Sequence, residues 1–383
     1  MRNLTMLVMP SRRNVTVAVL AAALLCSSAL HAQEPTGGRR MLAKKWVPIW
    51  RVGGSADDTL FGWVREHVAN DKHVYILDAG TLQVHAFDAQ NSRYAWSTGS
   101  KGSGPGQLAR PVDIALTPQR EVGVLDPGNG RVTIFDTGGR YLRSIVTPSA
   151  SLANTLCFLT DGSALLSTYK YESKLVRVNA QGKELAKYKF PWPVNDGAND
   201  FLHSVNIIRG GSPDRCVYGT TFGFGVFSVD VKGALFRFPF TEEVAMPTFR
   251  RERMSNGGTA TYLDKGDNAA LGGSRRGDTI IVHFAGSLMK SGVFDLYLQN
   301  GKYIGSWPEP PEDRAFYING RVYGLSTDAT QKLRVWADTA DTTRVLTEMG
   351  FRQPRSIKRP ATPRANTTAR RPKPVLPPPP TSR

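Results

Sequence analysis

Val74-Tyr75-Ile76-Leu77-Asp78-Ala79-Gly80, followed by Val84 and Phe87-Asp88, returns 48 residues later as Val122-Gly123-Val124-Leu125-Asp126-Pro127-Gly128, followed by Val132 and Phe135-Asp136. Each copy holds short alternating strands bounded by Gly-marked turns. A fixed period of this size, filled in this way, predicts the blade of a β-propeller and not a βαβ unit. After an Asp, Gly80 and Gly128 stand where a tight turn asks for positive φ, which is easy only for Gly.

The pattern continues in weaker form. Ala164–Thr168 with Lys174–Asn179 gives a third unit, Val217–Gly219 with Val226–Asp230 a fourth, Thr279–His283 with Phe294–Leu298 a fifth, and Arg321–Leu325 with Leu333–Trp336 a sixth. With Phe87, Phe135, Val178, Val229, Leu298 and Trp336 as equivalents, the steps are 48, 43, 51, 69 and 38 residues. The long step predicts an insertion, placed at residues 241–275 by Pro247, Gly257-Gly258 and Gly272-Gly273. A closed ring removes exposed sheet edges, and closure requires the two ends of the chain to meet in one blade. The last unit runs out of strand-like sequence near Val345. Residues 46–52, Trp-Val-Pro-Ile-Trp-Arg-Val, therefore read as the outermost strand of the sixth blade. The fold class is all-β, a six-bladed β-propeller of four-stranded antiparallel blades closed by an N-terminal strand, over residues 46–346.

The stretch Gly102-Ser-Gly104-Pro-Gly106-Gln-Leu108-Ala-Arg-Pro111-Val-Asp-Ile114-Ala115, leading into Val122–Asp126, Asn129-Gly-Arg131-Val132 and Phe135, resembles an NHL repeat. The resemblance is specific over residues 99–139, fair over 65–98 and only structural beyond 150. It implies six four-stranded sheets around a channel and names no substrate, because such propellers serve as binding scaffolds, lyases and lactonases alike. Gly102-x-Gly104-x-Gly106 also invites a phosphate-loop reading. Such loops require a following helix N-terminus, whereas Pro111-Val-Asp-Ile-Ala is strand-like.

Outside the ring, residues 1–32 read as an export signal, with Arg2, Arg12 and Arg13 ahead of an apolar run from Val15 to Leu25 and Ala32 before the expected cleavage. The run is too short to span a bilayer, which takes roughly 20 apolar residues. Sec-type export is the ordinary reading, and Ser11-Arg12-Arg13 keeps a twin-arginine signal open. The product would be periplasmic or secreted, with residues 33–45 as a linker. From 347 to 383 Pro alternates with Arg, Lys and Thr, a composition that cannot repay the entropy of ordering.

The formal charge of +17 suggests nucleic acid, but its distribution excludes that inference. Residues 1–45 carry +6 and residues 349–383 carry +9, leaving +2 over the ring. The tail could instead hold the protein against an anionic envelope surface. Nothing in the sequence asks for an oligomer, so a monomer is expected. Cys157 and Cys216 both sit in apolar runs; an oxidising compartment would permit a disulfide, but we read them as small buried side chains.

The five His residues beyond the signal, 67, 73, 85, 203 and 283, show no ligand-like pairing, and no Gly-x-Ser-x-Gly elbow occurs. Asp88, Asp136, Asn179 and Asp230 recur at one blade position and read as turn caps, in preference to calcium ligands. Propellers bind ligands at the channel mouth, where inner strands begin and the loops between second and third strands project. That register places Arg65, His67, Arg110, Asp113, Asn154, His203 and Arg314 at inner-strand starts, and Asn129, Tyr169, Tyr171, Phe222 and Phe224 on projecting loops. We expect a non-catalytic binding propeller that takes an anionic, sugar-like or peptide ligand through Arg65, His67, Arg110, Tyr169, His203, Phe222 and Arg314, without a cofactor. The alternative is a lyase or lactonase with Ca²⁺ or another divalent cation on Glu66, Asp113, Asn154 and Asn206.

Overall fold

The computed structural model describes residues 38–53, 61–168, 175–189, 205–208, 214–220, 225–239, 241, 248–255, 257–265, 270–276, 278–284, 292–308, 310, 314–318, 320–326 and 331–338. The signal segment 1–32, the tail 347–383, and Tyr169, Tyr171, His203, Phe222 and Phe224 lie outside the described residues.

Six blades form the ring. The first is β2 (Val64–Ala69), β3 (His73–Asp78), β4 (Gln83–Asp88) and β5 (Tyr94–Thr98), and the second is β6 (Asp113–Leu116), β7 (Val122–Asp126), β8 (Arg131–Phe135) and β9 (Tyr141–Val146). The third is β10 (Ala153–Phe158), β11 (Ala164–Thr168), β12 (Leu175–Val178) and β13 (Glu184–Tyr188). The fourth is β14 (Val205–Ile208), β15 (Arg215–Thr220), β16 (Val226–Asp230) and β17 (Leu235–Arg237). A separate hairpin, β18 (Thr248–Arg253) and β19 (Thr259–Lys265), occupies the predicted insertion. The insertion is shorter than expected from sequence, because β20 (Ala270–Arg276) already belongs to the fifth blade with β21 (Thr279–Phe284), β22 (Val293–Leu298) and β23 (Tyr303–Pro308).

The sixth blade is β24 (Arg314–Ile318), β25 (Arg321–Ser326), β26 (Lys332–Asp338) and, on its outer edge, β1 (Trp46–Gly53). β1 runs antiparallel to β26 from Trp46↔Asp338 to Gly53↔Lys332, so the N-terminal strand closes the ring as the sequence predicts. The first strands of successive blades touch one another and line the centre. Those of blades four and five pair in parallel at Ile208↔Gly273. Glycine also lets β15 approach β20: a Cβ on Gly219 would lie 2.2 Å from the Cβ of Ala270.

Two periodic devices join the blades. On the face carrying the turns between third and fourth strands, Asp88, Asp136, Asn179 and Asp230 each accept two backbone N–H groups of their own turn. In three of these turns a glycine follows with φ of 81–87°, at Gly139, Gly182 and Gly233. The outer strand of the preceding blade rests on it, through Trp96, Val146 and Tyr188 respectively; a Cβ on Gly182 would stand 1.8 Å from the Val146 carbonyl oxygen. The second device lies inside the ring, where side chains of one blade accept inner-strand N–H groups of the next. Asp113 Oδ2 accepts from Leu156 at 2.6 Å, Ser274 Oγ from Tyr317 at 3.0 Å, and His283 Nδ1 from Ala315 at 3.2 Å. Buried backbone donors require such partners.

Two readings change. Cys157 and Cys216 are joined, tying β10 of the third blade to β15 of the fourth across 59 residues of sequence. The apolar surroundings are real, with Cys216 fully buried, but the blade seam brings the two sulfurs face to face. Residues 39–44, read as linker, are docked on the ring. Arg40 and Leu42 exchange backbone hydrogen bonds with Ser306 of β23, and Arg39 reaches the buried Asp295 carboxylate at 3.0 Å beside Thr241. Lys44 pairs with Asp338 and lies over Trp307.

The repeated Asp78 and Asp126 perform the same task in blades one and two. Asp78 accepts N–H groups from Gly62 at 2.7 Å and Trp63 at 2.8 Å, and Asp126 accepts from Ala109 at 3.0 Å and Arg110 at 2.7 Å. Each carboxylate, fully buried, pins the chain entering its blade's inner strand. Gly80 and Gly128 do not adopt the positive φ expected of them; they are required by close approach, since a Cβ would lie 2.5 Å from the Trp63 nitrogen and 2.8 Å from the Arg110 nitrogen respectively. Burial pushes the Asp78 carboxyl up, but N–H donors from Trp63, Gly62, Gly80 and Thr81 together outweigh it and hold it below the usual carboxylate range.

Three measurements check this account. Deleting residues 45–52 should lower stability by several kcal/mol, since each fully buried apolar side chain contributes about 1.5–3 kcal/mol; an unchanged melting temperature would contradict closure by β1. Replacing Cys157 and Cys216 by Ser should cost up to about 4 kcal/mol for a loop of this length, read by denaturant unfolding. Asp78→Asn should cost about 2–3 kcal/mol at neutral pH. Because the folded-state pKa of Asp78 is depressed, its contribution is present above roughly pH 4 and is lost as pH falls through the lower folded value, so the variant should unfold with a flatter acid limb than the parent.

Candidate ligand-binding mouth

The two Asp clamps fix one face of the ring, where inner strands begin and the turns between second and third strands lie. On it Trp63 is 53% exposed, large for an aromatic at the head of a central strand. Arg65, two residues into the chain that Asp78 holds, is half-buried with its guanidinium 5.5 Å from the centre of the Trp63 ring. In the second blade the position pinned by the equivalent Asp126 oxygen is Arg110, which is exposed. Trp63 and Arg110 are thus repeat equivalents, one aromatic and one cationic. Arg65 corresponds to Val112. The sequence reading missed Trp63, although aligning Gly62-Trp63 with Ala109-Arg110 through the two Asp residues would have found it.

The loop before β6 is rigid for reasons unrelated to phosphate. Gln107 Oε1 accepts the Gly104 N–H at 2.8 Å, Arg131 donates to the carbonyls of Gly104 and Gln107 at 2.7 and 2.9 Å, and Asn129 donates to Gly102 O at 2.9 Å. The carbonyls of Gly102 and Gly104 are turned to the Asn129 amide and the Arg131 guanidinium within the protein, and the loop runs into a strand. Asn129, expected at the mouth, also donates to Asp126 Oδ2 at 2.7 Å and so braces the clamp.

The other candidates separate. His67 is 2% exposed, with Nε2 3.2 Å from the Tyr323 carbonyl oxygen, in the seam between blades one and six. Arg314 is the first residue of β24, at the same end of its blade as Arg65 in β2, and its side chain is outside the described residues. Tyr169, His203 and Phe222 are outside them altogether. Of the proposed cation ring, Asp113 is buried and accepts the N–H groups of Leu156 and Ile114, and Asn154 Oδ1 accepts the Ser167 hydroxyl. Glu66 lies beside His67, 3.8 Å from its Nδ1, and Asn206 contributes only described backbone, in β14. Among the described residues no three His, Cys, Asp or Glu side chains are grouped to hold a metal ion.

No protein-family model and no curated protein matches the chain. Solved structures do resemble it. A protein described as exported, from Bacteroides fragilis, aligns over 79% of this chain and 99% of its own at 11% identity, with a TM-score of 0.52. A member of the DUF4221 family from Bacteroides vulgatus aligns over 77% of this chain and 98% of its own, also at 11% identity, with a TM-score of 0.50. Virginiamycin B lyase from Staphylococcus aureus aligns over 77% and 99% at 11% identity, with a TM-score of 0.46. At these identities the likeness is one of fold, the six-bladed β-propeller.

Proposed function

We propose that the protein is an exported, non-catalytic propeller of the NHL-repeat type that binds a sugar-like, anionic or peptide ligand at the channel mouth. The observation that carries this reading is the exposed Trp63 ring with Arg65 against it, held on backbone that the buried Asp78 immobilises. An aromatic face beside a cation offers apolar stacking and charge-assisted hydrogen bonding together, the combination by which pockets orient polar ligands. Because the clamp is already formed, little ordering is left for binding to accomplish. Arg110 adds a second cation on the same face, and Arg314 begins the inner strand of another blade there.

The Cys157–Cys216 bond supports the exported location, since such bonds persist in oxidising compartments. In that setting the basic tail would attract the protein to anionic envelope lipids, an interaction that weakens as salt rises.

Calorimetric titration with tetragalacturonate, chitotetraose and an acidic heptapeptide tests the reading. For the probe that binds, Arg110→Ala and Arg314→Ala should each weaken affinity by about 1.5–3 kcal/mol, and Trp63→Ala by about 2 kcal/mol, with melting temperatures unchanged. Binding that is identical in all three variants would reject the mouth as the site.

A further inference from the structure

The clamps in blades one and two differ in one respect. In blade two, Asp126 Oδ2 accepts both the Ala109 N–H and the Asn129 side-chain amide, at 3.0 and 2.7 Å. In blade one the Asn129 position is Thr81, which supplies only a backbone N–H, and that goes to Asp78 Oδ1 at 3.3 Å. Among the described residues, Asp78 Oδ2 accepts only from Gly62 and retains acceptor capacity. Nε2 of His85 lies 3.9 Å from that oxygen. The nitrogen is buried and, among the described residues, has no hydrogen-bond partner, and the imidazole is packed 5.8 Å from the Phe61 ring. His85 therefore touches the segment 61–63 twice, directly at Phe61 and through Asp78 at Gly62 and Trp63.

We propose that His85 is a pH sensor for the mouth: on protonation it donates to Asp78 Oδ2, competes with the Gly62 N–H, and shifts the Phe61–Trp63 segment that presents the Trp63 ring. This rests on the proposed mouth only for its consequence, since the coupling itself involves no ligand. The groups facing His85 have been specified by the fold: Asp78 from β3, Phe61 from the chain entering β2, and register partners Ile76 on β3 and Ser97 on β5. Among the described residues, Asp78 is the charged group that acts on it. Burial holds the imidazole below the ordinary histidine value, and the Asp78 carboxylate draws it partway back. His85 is accordingly neutral at neutral pH and charges below about pH 6.5. With a depressed folded-state pKa, the unfolded chain takes up that proton first, so stability declines as pH falls below about 6.5 and levels off once folded His85 is charged. In blade two the corresponding residue is Thr133, which carries no titratable group.

The test is a ¹⁵N-indole titration of the ligand-free protein from about pH 7.5 to about pH 4.5, with the Trp63 resonance assigned by its loss in Trp63→Phe. The parent resonance should move with a single one-proton midpoint below about 6.5, and should stay still in His85→Gln and in His85→Asn. A resonance that does not move, or that moves alike in the parent and both His85 variants, overturns the sensor. Because no ligand is present, that outcome is distinct from failure of the mouth to bind any probe.

Discussion

A blade is a sheet with two edges, and the structure depends on what satisfies the inner one. Four strands pair among themselves, and the inner edge of the first strand is left for a neighbouring blade to satisfy: β14 and β20 pair in parallel, whereas β10 and β24 turn backbone donors to side chains. The protein answers with side chains from the adjacent blade, Asp113 for Leu156, Ser274 for Tyr317 and His283 for Ala315. Each hydrogen bond contributes only about 1 kcal/mol net, yet leaving the donor unmet would cost about 1–3 kcal/mol. Polar satisfaction thus helps to fix these two seams alongside the apolar clusters between the same blades. Asp113 shows the functional consequence: a carboxylate that looks available in sequence is committed to holding the third blade.

The same logic explains what the sequence disclosed and what it concealed. The repeat was legible where one residue does one local task, as with Asp78 and Asp126, or with the Asx caps at Asp88, Asp136, Asn179 and Asp230. It faded where other residues replaced the clamp. The corresponding ends of the second strands carry Thr168, Thr220, Phe284 and Ser326, so the period persists in spacing while its chemistry does not. Closure by residues 46–52 followed from strand supply alone. The Cys157–Cys216 bond did not, because both residues sit in apolar strands and only the seam between blades three and four reveals that they face each other. The burial of His67 at a seam was hidden for a related reason: the register gives its height on the inner strand, and the side toward which it points is set by the neighbouring blade.

Trp63 and Arg110 illustrate how a decayed repeat can diversify one face of the ring. The clamp makes the backbone at these positions equivalent, which leaves the side chains free to diverge. One blade offers an aromatic surface and the next a cation on backbones of like rigidity. His85 and Thr133 diverge in the same manner one strand away. Identity of scaffold with difference of decoration is how a symmetric ring acquires an asymmetric mouth.

The pairing of β1 with β26 joins residues separated by 292 positions, Trp46 to Asp338. A ribosome adding roughly 5–20 residues per second exposes the first long before the second, by about 15–60 s. Throughout that interval Trp46, Ile49, Trp50 and Val52 have no partner strand, and the incipient sixth blade does not exist. The native ring is thus a product of the finished chain, and the newborn protein must pass through a stage in which its N-terminal strand is an adhesive edge in search of a sheet.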